Sequence, residues 1–339
     1  MRVLDLHSDI ITDIAHRRYL GERKVFERRH LPRFKKAGVI GAICALWVEP
    51  IFRMNSFQRF QQLLQSAIED LSECEEVEVV TEDSIEEMEK ENGKFFVCLG
   101  LEGLSFVEEW EGAGEIDRVS KAIHSLTDNH IRHAILAWNE VNFLASGTGA
   151  YNYQQYRGLT EAGKYAVKRM ETSHWMIDVS HLDEPSFWDV VASADGPILA
   201  SHSNAKSLCN VERNLTDAQL KAIAEKKGIV GLNAYGEFVD SQKPTLERFA
   251  DHLCYMCDLI GVDHVGFGFD FTDYLQDYNI GLGDYVPTAG LEDVTKVPNL
   301  IEEMERRGFQ HHEIEKICYR NAMDFFKNSL RGAANPYET

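Results

Sequence analysis

Six side chains in this sequence are of types that bind divalent metals or carry protons, and each follows a short apolar run: His7, Asp9, Glu102, His181, His202 and Asp270. His7 and Asp9 flank Ser8. In an extended strand, residues two apart share a face, so this imidazole and carboxylate would project together. Glu102 stands in Leu99-Gly100-Leu101-Glu102-Gly103, His181 in Asp178-Val179-Ser180-His181, His202 in Ala200-Ser201-His202-Ser203, and Asp270 in Gly266-Phe267-Gly268-Phe269-Asp270. Taken singly, each is explained as well by a helix cap, a loop hydrogen bond or a satisfied core group. As a set, mixed imidazole and carboxylate groups suit a borderline divalent ion such as zinc. Six groups exceed what one tetrahedral ion needs; they suit two ions sharing a bridging carboxylate and a bridging water, an arrangement that activates water for hydrolysis.

The elements that must position these groups are strands. Short apolar runs bounded by turn or polar residues occur at Val3–Leu6, Gly41–Val48, Phe95–Gly100, His133–Trp138, Trp175–Val179, Ile198–Ser201, Ile229–Asn233 and His264–Gly268. Such runs are the pattern of parallel strands buried on both faces. Amphipathic stretches lie between them, including Phe57–Ser72, Glu161–Glu171 and a helix after Thr216, where Thr216 and Gln219 form a capping box and Gly228 supplies the stop. Eight strand–helix units in one chain point to a closed (β/α)₈ TIM barrel of α/β class, whose functional groups gather at the C-terminal ends of the strands. With no Gly-, Pro- or Ser-rich linker and no repeat, residues 1–339 are expected to form one barrel domain. Helices over Pro298–Arg307 and His312–Leu330 would pack on its outside, and the closing GAANPYET would be a tail.

Composition narrows the classes of partner. The 339 residues are 44% hydrophobic, enough for a large core, and the net charge is -20. So acidic a chain would be repelled by nucleic acid and by anionic membrane surfaces. No run approaches the roughly 18 apolar residues of a membrane span. The segment MRVLDLHSDI has no apolar stretch of secretory-leader length, so a cytoplasmic protein is expected. Seven scattered cysteines do not read as a disulfide framework, and Cys254 and Cys257, a CxxC inside an apolar helical stretch, read as small core residues.

The motifs in order, DLHSD, GLEG, GLTEAGKYAVKRM followed by IDVSH, ASHSNAKSLCNVERNLTD, VGFGFDF and GLEDVTKVPNLIEEM, resemble the blocks of the membrane (renal) dipeptidase family over nearly the whole chain. That family is a branch of the amidohydrolase-like metal-dependent barrels. The resemblance implies a binuclear zinc dipeptidase that tolerates a D-residue at the C-terminal position of its substrate. It implies that His7 and Asp9 hold one zinc, that His181 and His202 hold the other, and that Glu102 bridges the two. Asp270 then matches the acid–base aspartate that handles the proton of the bridging water, and Arg213 the arginine that binds the substrate's free carboxylate. A homodimer is what the family would suggest.

Two positions depart from the family pattern. Many members carry a histidine after the fourth strand, and Trp138 takes that place here, so oxyanion stabilisation and substrate choice are expected to differ: an indole N–H donates one hydrogen bond but carries no charge. After Asp270, where a second aspartate is common, the chain has Phe271-Thr272, which points to altered pocket walls. Tyr235 follows the seventh strand and is a candidate for the pocket lining. His133 lies too early on its strand to replace the missing histidine, and the remaining histidines read as surface or core residues. Two alternatives stand beside dipeptide cleavage: another amidohydrolase reaction such as N-acyl amino acid deacylation, and a non-catalytic barrel. The six-residue constellation argues against the second.

Overall fold

The computed structural model describes residues 1–90, 93–149, 158–281 and 285–331. The expected tail lies outside them. Eight parallel strands form a closed ring: β1 (Val3–Ser8), β2 (Val39–Trp47), β3 (Phe95–Glu102), β4 (Ile131–Ile135), β5 (Met176–Asp178), β6 (Leu199–Ala200), β7 (Ile229–Leu232) and β8 (Val265–Phe267). Neighbours in the ring are neighbours in sequence, and β1 closes it against β8 through Asp5 and Phe267. Helices pack around the outside, which makes the fold the (β/α)₈ barrel expected from the strand pattern. Every residue of β1, β3 and β7 is buried, because one face looks into the barrel and the other meets the helices.

The eight strands fall on the eight predicted runs, with instructive differences. A further strand, Val77–Val79, pairs beside the start of β3 outside the ring. Its three half-buried residues lie in a Glu-rich stretch and give no apolar run to detect. β5 and β6 are shorter than predicted. The amides of Ser180 and Ser201, just beyond their ends, bond the Asp178 carboxylate instead of a neighbouring strand.

The Thr216–Gln219 capping box is present at the start of the helix Asp217–Glu225. Gly228 is not its stop. Lys227 takes the left-handed conformation at φ 56°, while a Cβ on Gly228 would come within 2.0 Å of the Ile198 carbonyl oxygen. That glycine serves close approach of the chain to the sheet. The last predicted helix is three pieces, His311–Glu315, a π turn over Lys316–Arg320 and Asn321–Leu330. The π turn keeps Ile317, Cys318 and Tyr319 all facing inward. Cys254 and Cys257 sit half-buried and unbonded to each other on the helix Leu246–Ile260. No helix of the described residues is long and apolar enough to cross a membrane.

Candidate active site

All six candidate residues meet at the C-terminal mouth of the barrel. His7 and Asp9 come from the end of β1, Glu102 from the last position of β3, and His181, His202 and Asp270 from the loops leaving β5, β6 and β8. Ligand atoms of His7, Glu102 and His202 lie within 4.8 Å of one another, as do those of His7, Asp9 and Asp270. Glu102 divides its carboxylate. Oε2 is 3.4 Å from His7 Nε2, while Oε1 is 2.8 Å from His181 Nε2 and 3.6 Å from His202 Nε2. His7 and Asp9 lie together as expected, with His7 Nε2 3.6 Å from Asp9 Oδ1, although Asp9 stands just past the end of the strand. Asp9 stands at the N-cap of the helix Ile10–Tyr19, yet its side chain makes no capping bond.

Two of the imidazoles, those of His181 and His202, are held from behind. His181 Nδ1 lies 2.8 Å from Asn139 Oδ1, and His202 Nδ1 lies 2.7 Å from Ser201 Oγ. Each contact turns Nε2 towards the cluster, the usual way a ligating histidine is oriented by the partner of its other nitrogen. Asn233 Nδ2 donates to Asp270 Oδ2 at 2.9 Å. Asn139, Ser201 and Asn233 were not foreseen. Their one sequence signal is a hydrogen-bonding side chain at the end of an apolar run, which ordinary structural residues also show. His181 and Asp270 have φ of 65° and 56°. A left-handed backbone at a non-glycine residue costs of order 1–3 kcal/mol and collects at functional sites, where it aims a side chain the regular strand could not.

Burial and mutual charge set the protonation of the cluster. Burial raises the Glu102 pKa to about 8, with Asp9 adding to the rise and His7 opposing it. Burial likewise lifts Asp270 to about 6 against the pull of His7. Burial disfavours a charged His7, but the Glu102 and Asp9 carboxylates outweigh it and hold its pKa well above the ordinary value. His181 and His202 are pushed well below it by burial, helped by the positive charges of Arg213 and His7. His181 and His202 are thereby neutral at physiological pH, the form in which an imidazole binds a metal.

A metal fits this donor set. His7 Nε2 and Asp9 Oδ1, which face each other in the cluster, are buried without a hydrogen-bond partner, a costly condition for polar atoms that an ion between them would relieve. His181 Nε2 and His202 Nε2 are 2.9 Å apart. Two nitrogens bonded at about 2.0–2.1 Å to one tetrahedral ion stand roughly 3.3 Å apart, close to that spacing.

Arg213 is buried, not the solvated loop charge that its sequence setting would allow. Its guanidinium donates to Ser203 Oγ at 2.9 Å and to the His202 carbonyl oxygen at 2.8 Å, while Nε has no partner. Among the described residues no carboxylate lies within ion-pair distance of it, and burial lowers its pKa to about 10. Trp138 packs its ring 5.8 Å from that of His181 and 5.4 Å from that of Trp47, with the Arg53 guanidinium 5.4 Å over its face. Trp138 therefore walls the His181 side of the cluster. Tyr235 is half-buried between Phe238 and Tyr285, with the Asp270 charge among the causes that raise its pKa to about 12, burial being the largest.

Residues 1–335 match the family profile of the membrane dipeptidases, peptidase family M19. The chain belongs to the membrane dipeptidase family. Its membership makes it a metallo-dipeptidase, a metal-dependent hydrolase of peptide bonds. Among its relatives is an uncharacterised protein in the pqqA 5' region of Klebsiella pneumoniae, 33% identical over 66% of this chain and 82% of that one. The solved structure of a dipeptidase of family M19 is 25% identical and superposes with a TM-score of 0.82, covering 97% of this chain and 99% of that chain. A metallopeptidase from Rhodobacter sphaeroides, solved with a phosphinate mimic of the dipeptide L-Ala-D-Ala, shares the fold at 24% identity, with a TM-score of 0.83 over 97% of this chain and 99% of that one.

Proposed function

We propose that this membrane dipeptidase family member is a binuclear zinc enzyme cleaving dipeptides, including those with a C-terminal D-residue. One observation carries the reading: a buried guanidinium, Arg213, stands beside the metal-ligand cluster, and among the described residues no carboxylate lies within ion-pair distance of it. A buried cation without a directly paired carboxylate is costly, and a substrate's free carboxylate would supply that partner. His7 and Asp9 would hold one ion, His181 and His202 the other, and Glu102 both, since its two oxygens face different ligands. Divalent ions held by these residues would supply a water of lowered pKa and a Lewis acid for the scissile carbonyl.

The protein's own groups do the rest. Asp270, held by Asn233 and with its pKa lifted to about 6, accepts the water's proton and passes it to the leaving amine. Arg213 anchors the carboxylate at a fixed distance from the ligand cluster and so selects dipeptides over longer chains. Trp138 and Tyr235 shape the walls, and Trp138 brings no charge to the developing oxyanion. The Rhodobacter sphaeroides structure, with its L-Ala-D-Ala mimic, supports the inclusion of D-residues. Metal analysis combined with a panel of L,L- and L,D-dipeptides and N-acyl amino acids tests the reading. Turnover of N-acyl amino acids in preference to every dipeptide would replace it with deacylation.

A further inference from the structure

The chemistry proposed for the cluster leaves one buried pair of titratable side chains unused. His133 on β4 and Asp178 at the end of β5 have no exposed surface, and His133 Nε2 lies 2.8 Å from Asp178 Oδ2. The other oxygen of Asp178 accepts two backbone bonds, from Ser180 N at 2.8 Å and from Ser201 N at 3.1 Å. The next residues along these two chains are His181 and His202. One carboxylate oxygen thus pins an amide just beyond the end of each of two adjacent strands, immediately before the two imidazoles. Ser180 and Ser201 extend the tie, with Ser180 Oγ accepting from His202 N at 3.3 Å and Ser201 Oγ meeting the His202 ring.

The fold makes room for this pair. A Cβ on Gly100 would fall 2.4 Å from His133 Nδ1, so β3 gives up a side chain where the ring lies, two residues before Glu102. The same device recurs at the other ligand group. Asp5 Oδ1 accepts from His7 N at 3.2 Å and from Phe269 N at 2.9 Å, the latter immediately before Asp270. Carboxylates are strong acceptors of backbone amides, and a buried one needs a polar or cationic partner to stay there. His133 is that partner for Asp178, whose carboxyl is held below the usual range: burial opposes this, but the bonds from His133, Ser201 and Ser180 prevail.

We infer that His133 and Asp178 form a positioning pair that fixes the backbone beneath His181 and His202, so that their Nε2 atoms converge on one ion. The inference rests on the two-ion reading of the site, which the wild-type protein tests by itself through its stoichiometry. The variants test the pair. A glutamine amide reaches about where the histidine Nε2 sits, whereas an asparagine amide reaches only to Nδ1. Cobalt(II) affinity is measured by chelator competition on folded protein, with the visible spectrum of the bound ion as a second readout.

His133→Asn is expected to weaken one of two binding steps by roughly 10–100-fold, the usual effect of losing a supporting contact, and to shift the spectrum of that ion. The step belonging to His7 and Asp9 is expected to stay within about threefold. His133→Gln is expected to restore the weakened step. A general loss of stability would lower both steps together and would not be reversed by the choice of amide. Wild-type affinity in His133→Asn, or equal losses with Gln and Asn, overturns the inference. Should His133→Asn not fold, Asp178→Asn takes its place, keeping the shape of the acceptor without its charge. Weakening of the same step by at least threefold supports the pair, and unchanged binding overturns it.

Discussion

His181 and His202 face each other at 2.9 Å between their Nε2 atoms, and each is turned to do so by a different side chain on its Nδ1, Asn139 for the first and Ser201 for the second. The convergence is therefore built from behind. Asn139→Leu removes the acceptor on His181 while keeping the bulk. Zinc affinity of one of the two sites is expected to fall about tenfold or more. Unchanged affinity in a competition titration would mean that packing against Trp138 alone orients the ring.

Glu102 is placed to couple both halves of the cluster, with one oxygen towards His7 and the other towards His181 and His202. Purified protein should hold about two divalent ions per chain, and Glu102→Gln should loosen both together. Elemental analysis after dialysis against a chelator decides it. A single ion at saturating zinc, retained in Glu102→Gln, would refute the bridging role.

Asp270 is tied to Asn233 and carries no other side-chain bond among the described residues. As the proton carrier it should matter for turnover more than for metal retention. Asp270→Asn is expected to lower kcat by roughly 10²-fold or more with metal content near wild type. Near-normal turnover would remove it from the mechanism.

The reading of Arg213 is tested from the substrate side. Amidating the C-terminus of a good dipeptide should cost wild-type enzyme about one to two decades in kcat/KM, the equivalent of roughly 1.5–3 kcal/mol for a charge-assisted pair. The same amidation should cost Arg213→Met little. Equal penalties in the two enzymes would show that Arg213 does not sense the carboxylate.

A fifth expectation concerns acid stability away from the cluster. Asp13 bonds His30 at 2.8 Å and Arg17 at 2.7 Å and also receives the Tyr278 hydroxyl, tying the loop after β8 to the first helix. Burial raises its pKa, but these partners outweigh it and leave the folded value below 3.8. The folded state then binds fewer protons than the unfolded one. This stabilisation is complete above the unfolded pKa of about 4 and is lost as pH falls through that value towards the folded one. Urea midpoints between pH 6 and 3 should drop less steeply in Asp13→Asn than in wild type; parallel curves would contradict the assignment.

What the sequence made legible was the part that depends on periodicity. Eight apolar runs marked eight strands, and the residues just beyond five of them are the ones the barrel brings together. What it hid was of two kinds. Asn139, Ser201 and Asn233 act through single hydrogen bonds to a partner remote in sequence or set by a loop turn, and nothing in their spacing distinguishes them from ordinary strand-end polar residues. His133 lies too early on its strand to reach the mouth, yet that depth is what places its ring beside Asp178, buried beneath the site. Arg213 is named by the resemblance, but its burial was not legible: a charge in the polar run Glu212-Arg213-Asn214 gives no sign that the loop folds back beneath His202.

The ring closes through Asp5 and Phe267, so the strand that carries His7 meets its final neighbour only when the strand before Asp270 exists. On the ribosome, at roughly 5–20 residues per second, His7 emerges on the order of 10–50 s before Asp270. Through that interval one edge of the first strand waits without its partner, a template for wrong pairing with other chains. A nascent chain halted short of its eighth strand would present His7, Glu102, His181 and His202 without the strand that closes the ring around them.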